Sequence, residues 1–129
     1  MTVVNPISPP TMAPPPAAYA HGVSIEGATR WVHTSGVVPV SADGSVPADL
    51  SDQAALVWRN VLAILAAADM SASDIVSVTT YVVVGEDLSV VMAARDVALG
   101  GHLAASTLVT VPALARAEWR MEIAVIAAA

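Results

Sequence analysis

The sequence predicts an α+β domain: a sheet with two helices packed on one of its faces. Three observations lead there. The segment order reads strand, strand, helix, strand, helix, strand, strand, with no internal repeat. The 129 residues make one domain, large enough to bury a core without staples. Hydrophobic residues reach 56% with only 12% charged, a surplus that calls for cover beyond one small core.

The elements follow in order. Six of the nine prolines lie within residues 1–16, so residues 1–18 read as a proline-rich arm, extended or polyproline-like, ahead of a single domain at 19–129. Tyr19–Ile25 and Arg30–Ser35 read as strands, with Glu26-Gly27-Ala28 as a hairpin turn between them. Asp49 or Ser51 can cap a helix to about Asp69, whose core stripe is Ala54, Val57, Val61, Ile64, Leu65 and Ala68. Trp58, Leu62 and Ala66 form a second apolar stripe, to be covered by another element or subunit. Ile75–Val84 is rich in valine, threonine and tyrosine, a strand expected to be buried on both faces. Asp87 caps a second helix to about Leu99, with Leu88, Val91, Met92 and Leu99 on one side, and Gly100-Gly101 stop it. Ser106–Val111 and Trp119–Ile126 complete the sheet, whose second face is expected to be apolar.

Composition excludes several functions. Without cysteine there is no disulfide framework, thiolate nucleophile or sulfur-ligated zinc. All five basic residues are arginines against eleven acidic ones, a net charge of −6; this argues against nucleic acid as a partner, and the lack of lysine against a Walker-type loop or Schiff-base chemistry. No stretch is long and apolar enough for a spanning helix and no basic, apolar leader opens the chain, so neither membrane nor secretion is expected and the cytoplasm is the expected location. The apolar surplus is assigned to a partner subunit, another copy of the chain.

Two titratable positions stand out. His33 shares a strand face with Trp31 and Ser35 and reads as a buried, hydrogen-bonded histidine ahead of a general base; His21, His33 and His102 have no metal-ligand spacing. Glu122 alternates with Met121, Ile123 and Val125, on the face shared with Arg120 and Ala124. It either pairs with Arg120 or serves as a cleft carboxylate able to hold a water or carry a proton.

A collinear series of segments resembles the RidA/YjgF family of reactive-intermediate deaminases, also named after endoribonuclease L-PSP. It comprises Tyr19-Ala20, Thr34-Ser35-Gly36-Val37-Val38-Pro39-Val40, Asn60 with Ala63-Ile64-Leu65, Asp74-Ile75-Val76, Ala104-Ala105-Ser106-Thr107 and Glu122-Ile123-Ala124-Val125-Ile126-Ala127. The resemblance covers residues 19 to 127. It implies a chorismate-mutase-like protomer in a homotrimer with clefts between subunits, and hydrolysis of 2-imino or enamino acids without metal or cofactor. By resemblance, Glu122 positions the attacking water and Tyr19, Ser35 and Gly36 shape the pocket, beside Val37, Met92, Ala105 and Ser106.

The departures matter. The family's carboxylate-gripping arginine is here Ala105, the glutamine after its Ser-Gly turn is Val37, and an asparagine on its second helix is Met92. A forked guanidinium is not replaceable by a methyl group. Arg30, Arg95 or Arg116 would have to reach the cleft to restore it. The expectation is a hydrolase of a small imine, enamine or related C–N compound other than the standard 2-imino acids. The alternative is a trimer that binds a small molecule without turnover. The ribonuclease role attributed to some relatives is disfavoured by the acidic charge.

Overall fold

The computed structural model describes all of residues 1–129. Its elements are β1 (Val3–Ile7), β2 (Gly22–Glu26), β3 (Trp31–His33), α1 (Leu50–Ala67), β4 (Ile75–Val83), α2 (Leu88–Leu99), β5 (Ala105–Val111) and β6 (Met121–Ala128). A four-stranded sheet runs β3-β6-β4-β5, and β1 and β2 form a separate antiparallel ribbon. β5 lies parallel to β4, reached by the α2 crossover, whereas β6 is antiparallel to both β3 and β4. The α+β assignment stands.

Both helices begin and end where local chemistry dictates. The Asp49 carboxylate accepts from the Ser51 amide at 2.9 Å, and Asp87 accepts from the Ser89 amide at 3.0 Å, each serving a free N–H of the first turn. Hydrogen bonds from Ser89 hold the Asp87 carboxyl below its usual range. At the far end of α1, Asp69 turns left-handed (φ 56°) and the Met70 amide closes back on the Leu65 carbonyl at 2.9 Å. Gly100 stops α2 in the same conformation at φ 58°.

The core lies between the helices and one face of the sheet. Val78, Val82, Met121, Ile123 and Val125 project from β4 and β6 toward Val57, Val61 and Leu65 of α1 and Val91 of α2. A bulge at Val76 keeps Ile75 and Val78 on that face. The buried amide of Gln53 ties the layers together, donating to Pro47 O and Glu118 O, each at 2.8 Å, and accepting from the Arg120 amide at 3.0 Å.

Several expectations change. Glu26-Gly27-Ala28 is not a hairpin turn: Gly27 turns the chain (φ 77°), but β2 is paired with β1. The amides of Thr29 and Arg30 bond to the Ala129 carbonyl instead, which draws β3 onto β6. Within the arm, Val3–Ile7 forms a strand; Pro6, opposite Val23, stands in an outer strand where its missing donor breaks no central ladder. Ile64 is 41% exposed rather than core, whereas Trp58, from the second stripe, is 3% exposed, in the core cluster and beside α2.

The open sheet face is mixed rather than apolar. Alternation puts Ser77, Thr79, Tyr81, Thr107 and Glu122 there among Trp31, Val109, Ala124 and Ile126. So β4 is fully buried only on its helix side. No helix is long and apolar enough to cross a membrane.

Candidate functional site

Thr34 to Val37 continues β3 alongside β6 and builds the centre of the candidate site. The Thr34 amide donates to Val125 O at 3.0 Å, while the Thr34 hydroxyl accepts from the Val125 amide at 3.0 Å. Three residues on, Val37 and Ile123 exchange both backbone hydrogen bonds, at 2.7 and 3.1 Å. Ser35 and Gly36 are held between these two anchors without ladder bonds of their own. The Glu122 carboxylate lies directly against the Gly36 α-carbon, filling the space that a Cβ would need.

Glu122 has no partner within the chain. Arg120 forks onto both oxygens of Glu86 at 2.7 and 2.5 Å and donates to Ala48 O at 2.7 Å, so the Glu122–Arg120 pairing open at the sequence level is not made. The hydrogen bonds from Arg120 hold the Glu86 carboxyl below its ordinary range, and Glu86 in turn raises Arg120.

A cavity of about 690 Å³ opens between this loop and the second half of α1, lined by Ser35, Gly36 and Val37 together with His33, Asn60 and Ile64. Asn60 shapes it by donating to Val40 O at 3.0 Å. His33 borders this space but shares the open sheet face with Trp31 and Ile126; it is exposed, not buried as expected, because β3 is an edge strand with no further strand beside it. Glu122 lies outside the cavity, on the far side of Gly36.

The other candidate residues stand elsewhere. Ala20 bridges Ala105, its amide bonded to Ala104 O at 3.0 Å, so Tyr19 joins Ala105 and Ser106 at the start of β5. Ala105 is opposite Ser77 and Glu122 opposite Tyr81, on either side of β4. The two groups are therefore roughly 13 Å apart along the strands and about 10 Å across them. Met92 is half-buried on α2 and does not line the Ser35–Val37 cavity. The candidate residues of one chain thus fall into two separate candidate half-sites, Ser35-Gly36-Val37 with Glu122 and Tyr19 with Ala105-Ser106.

None of the three arginines restores a cation to either group. Arg30 donates to Ala68 O at 2.7 Å, Arg95 is 5% exposed and paired with Asp96, and Arg116 stacks 5.8 Å over the Trp119 ring. No three histidine and acidic side chains converge as metal ligands would. Near the Tyr19 group, His21 carries a buried Nδ1 without a partner. The Gln53 and Arg120–Glu86 clamps, which fix the start of β6 and hence Glu122, join residues more than 30 positions apart, and no local pattern announces them.

The family model for endoribonuclease L-PSP matches residues 11–129. The chain belongs to this family, the RidA/YjgF family. Among solved structures, the Rid-family protein YyfB from Yersinia pestis superposes with a TM-score of 0.85 at 28% identity, covering 98% of both chains. Escherichia coli TdcF, crystallised with bound serine, superposes with a TM-score of 0.72 at 31% identity, over 95% of this chain and 93% of that one. In sequence, TdcF of E. coli strain K12, whose name places it among reactive intermediate deaminases, is 42% identical over 65 residues. That match takes in 50% of this chain and 48% of TdcF, so the chain spans about half the length of the curated relatives it matches. The RidA/YjgF fold accounts for the layer order of helices on one face of the sheet.

Proposed function

We propose that this RidA/YjgF protein works as a homotrimer whose inter-subunit clefts bind a small imine, enamine or related C–N compound and hydrolyse it. The observation that carries the reading is the Glu122 carboxylate, lodged against Gly36 on the open sheet face with no cation of its own chain engaging it. A carboxylate in that position is free to accept a proton from water. For an imine, the water oxygen bonds to the C=N carbon as Glu122 takes one proton and passes it to nitrogen. The resulting carbinolamine then expels ammonia, or the parent amine, as the carbonyl forms. One water is consumed and nothing is oxidised or reduced.

The separation of the candidate half-sites supports an assembly of more than one copy, which the family resemblance makes a trimer. Tyr19, Ala105 and Ser106 can meet Glu122, Ser35 and Gly36 only if they come from different copies. The exposed apolar side chains of the open face, Trp31 at 52% among them, favour a covered surface. The substrate proposed lacks the 2-carboxylate, because Ala105 offers no donor and every arginine on this chain except Arg59 is engaged elsewhere. The serine bound to TdcF makes a small, amino-acid-derived compound the natural size class. Binding without turnover is the second reading, favoured by the loss of polarity at Val37 and Ala105.

Sedimentation should give about 39 kDa, three times the 13.1 kDa chain; a 13 kDa species at micromolar concentration overturns the assembly. A panel of small imines without a 2-carboxylate should be hydrolysed by the wild type and not by Glu122→Gln. Equal turnover by both would remove Glu122 from the chemistry, and binding without turnover by either would favour the second reading.

A further inference from the structure

We infer that the outer surface of the helix layer carries a second small-molecule site, a groove between α1 and α2 that takes an amphiphilic monocarboxylate. The groove encloses about 610 Å³ and eight of its ten lining residues are apolar, the volume and lining of a small-ligand pocket rather than of a solvated helix seam. It exists because α2 presents Ala93, Ala94 and Ala98 where larger side chains would close the gap to Trp58 and Leu62. Its lining stretches from Ser51 to Leu62 along α1, about 16 Å at helical rise. Val97 stands 82% exposed at its margin. The site is independent of the cleft: none of its lining residues belongs to either half-site or faces the open side of the sheet.

Arg59 specifies the occupant, and Trp58 supplies a reporter of it. Arg59 lines the groove and is the one arginine of the five that makes no hydrogen bond, ion pair or ring contact. In a chain of net charge −6, an unpaired guanidinium beside an apolar trough selects an anion with an apolar body. Trp58 forms part of the lining, is 3% exposed, and its indole N–H has no acceptor in the protein. That nitrogen is sealed from the groove, so Trp58 reports on an occupant through its ring and not by donating to it. The head group belongs at Arg59 rather than at Ser51, whose hydroxyl is turned to the Asp49 carboxylate at 3.1 Å.

Octanoate, 1-octanol and octylamine added to the full-length protein at neutral pH test this directly. The readout is the three tryptophan indole N–H resonances, that of Trp58 assigned with Trp58→Phe. Octanoate should move Trp58 alone, and bind about threefold more tightly than octanol, the worth of one partly exposed charge pair. Octylamine should bind more weakly than octanol. Arg59→Gln should reduce octanoate to the affinity of octanol and leave octanol unchanged. Val97→Asp, at an exposed position, should weaken octanoate further without shifting the unfolding midpoint. The inference is overturned if octanoate moves no indole or all three alike, if octanol matches octanoate, or if Arg59→Gln affects both ligands equally. It is also overturned if Val97→Asp changes the mass of the native protein, because the groove is then a contact between copies.

Discussion

Replacing Gly36 by alanine separates two reasons for a glycine at that position, its own backbone and its neighbour. Gly36 does not adopt a positive φ, unlike Gly27 or Gly100, so alanine fits its backbone without strain. Space is the obstacle: the new Cβ would overlap a Glu122 carboxylate oxygen, with Cδ at 2.6 Å and Cγ at 3.1 Å. Either the carboxylate swings aside into a poorer rotamer, at about 0.5–1.5 kcal/mol, or the loop lifts and weakens the two Val37–Ile123 hydrogen bonds, at about 1 kcal/mol each. Gly36→Ala should therefore destabilise the protein by about 1–2 kcal/mol. In a Glu122→Ala background the obstacle is gone. The same substitution should then be neutral or stabilising by about 0.4–1 kcal/mol, because alanine restricts the unfolded chain. The four proteins, unfolded in urea at one fixed concentration, give the coupling directly. If Gly36→Ala costs the same with and without the Glu122 side chain, the contact does not explain the glycine.

Three further outcomes can be measured. Ala105→Arg should create or increase clearance of 2-iminopropionate, since it returns a forked donor to the start of β5; no gain would mean a more deeply remodelled pocket. Glu86→Gln should lower stability at neutral pH. Because Arg120 depresses the Glu86 pKa below its ordinary 4.5, that contribution is present above the unfolded value and fades as pH falls through the folded one. The gap between variant and wild type in denaturant midpoint should thus close as pH falls below the ordinary carboxyl value of 4.5, and a gap independent of pH would contradict the assigned cause. Gly100→Ala should cost about 1 kcal/mol in thermal unfolding, because the left-handed turn penalises a Cβ; nothing lies within 4 Å of that position, so a much larger loss would reveal a contact absent from the structure.

Features set by a few neighbouring residues were legible in the sequence. Asp49 and Asp87 cap the helices they precede, Gly100 ends α2, and alternation along Met121–Val125 puts Glu122 on the face away from the core. What depends on distant partners was not. The turn at Gly27 looks like a hairpin until β1 and β6 are known to compete for β2 and β3. Arg120 is two positions from Glu122 on the same face, yet its guanidinium is claimed by Glu86 across the end of β4. Ile64 follows the helical stripe but falls where α1 borders the cavity, and Trp58 falls toward α2. Ser35, Gly36 and Val37, picked out by their resemblance to the family's Ser-Gly turn, stay together because they are contiguous. Their distance from Tyr19 and Ala105 is a matter of sheet order, which no spacing in the chain encodes.

That sheet order has a bearing on synthesis. β3 and β4 are neighbours only through β6, the last of the elements to be made. Until residue 121 has left the ribosome, β4 has its parallel partner β5 on one side and a bare hydrogen-bonding edge of valine and threonine on the other. Such an edge invites pairing with other nascent chains. The domain can therefore complete its sheet only once Met121–Ala128 has been made, in one late step. Chains cut short before Met121 should collect in aggregates, whatever the integrity of their two helices.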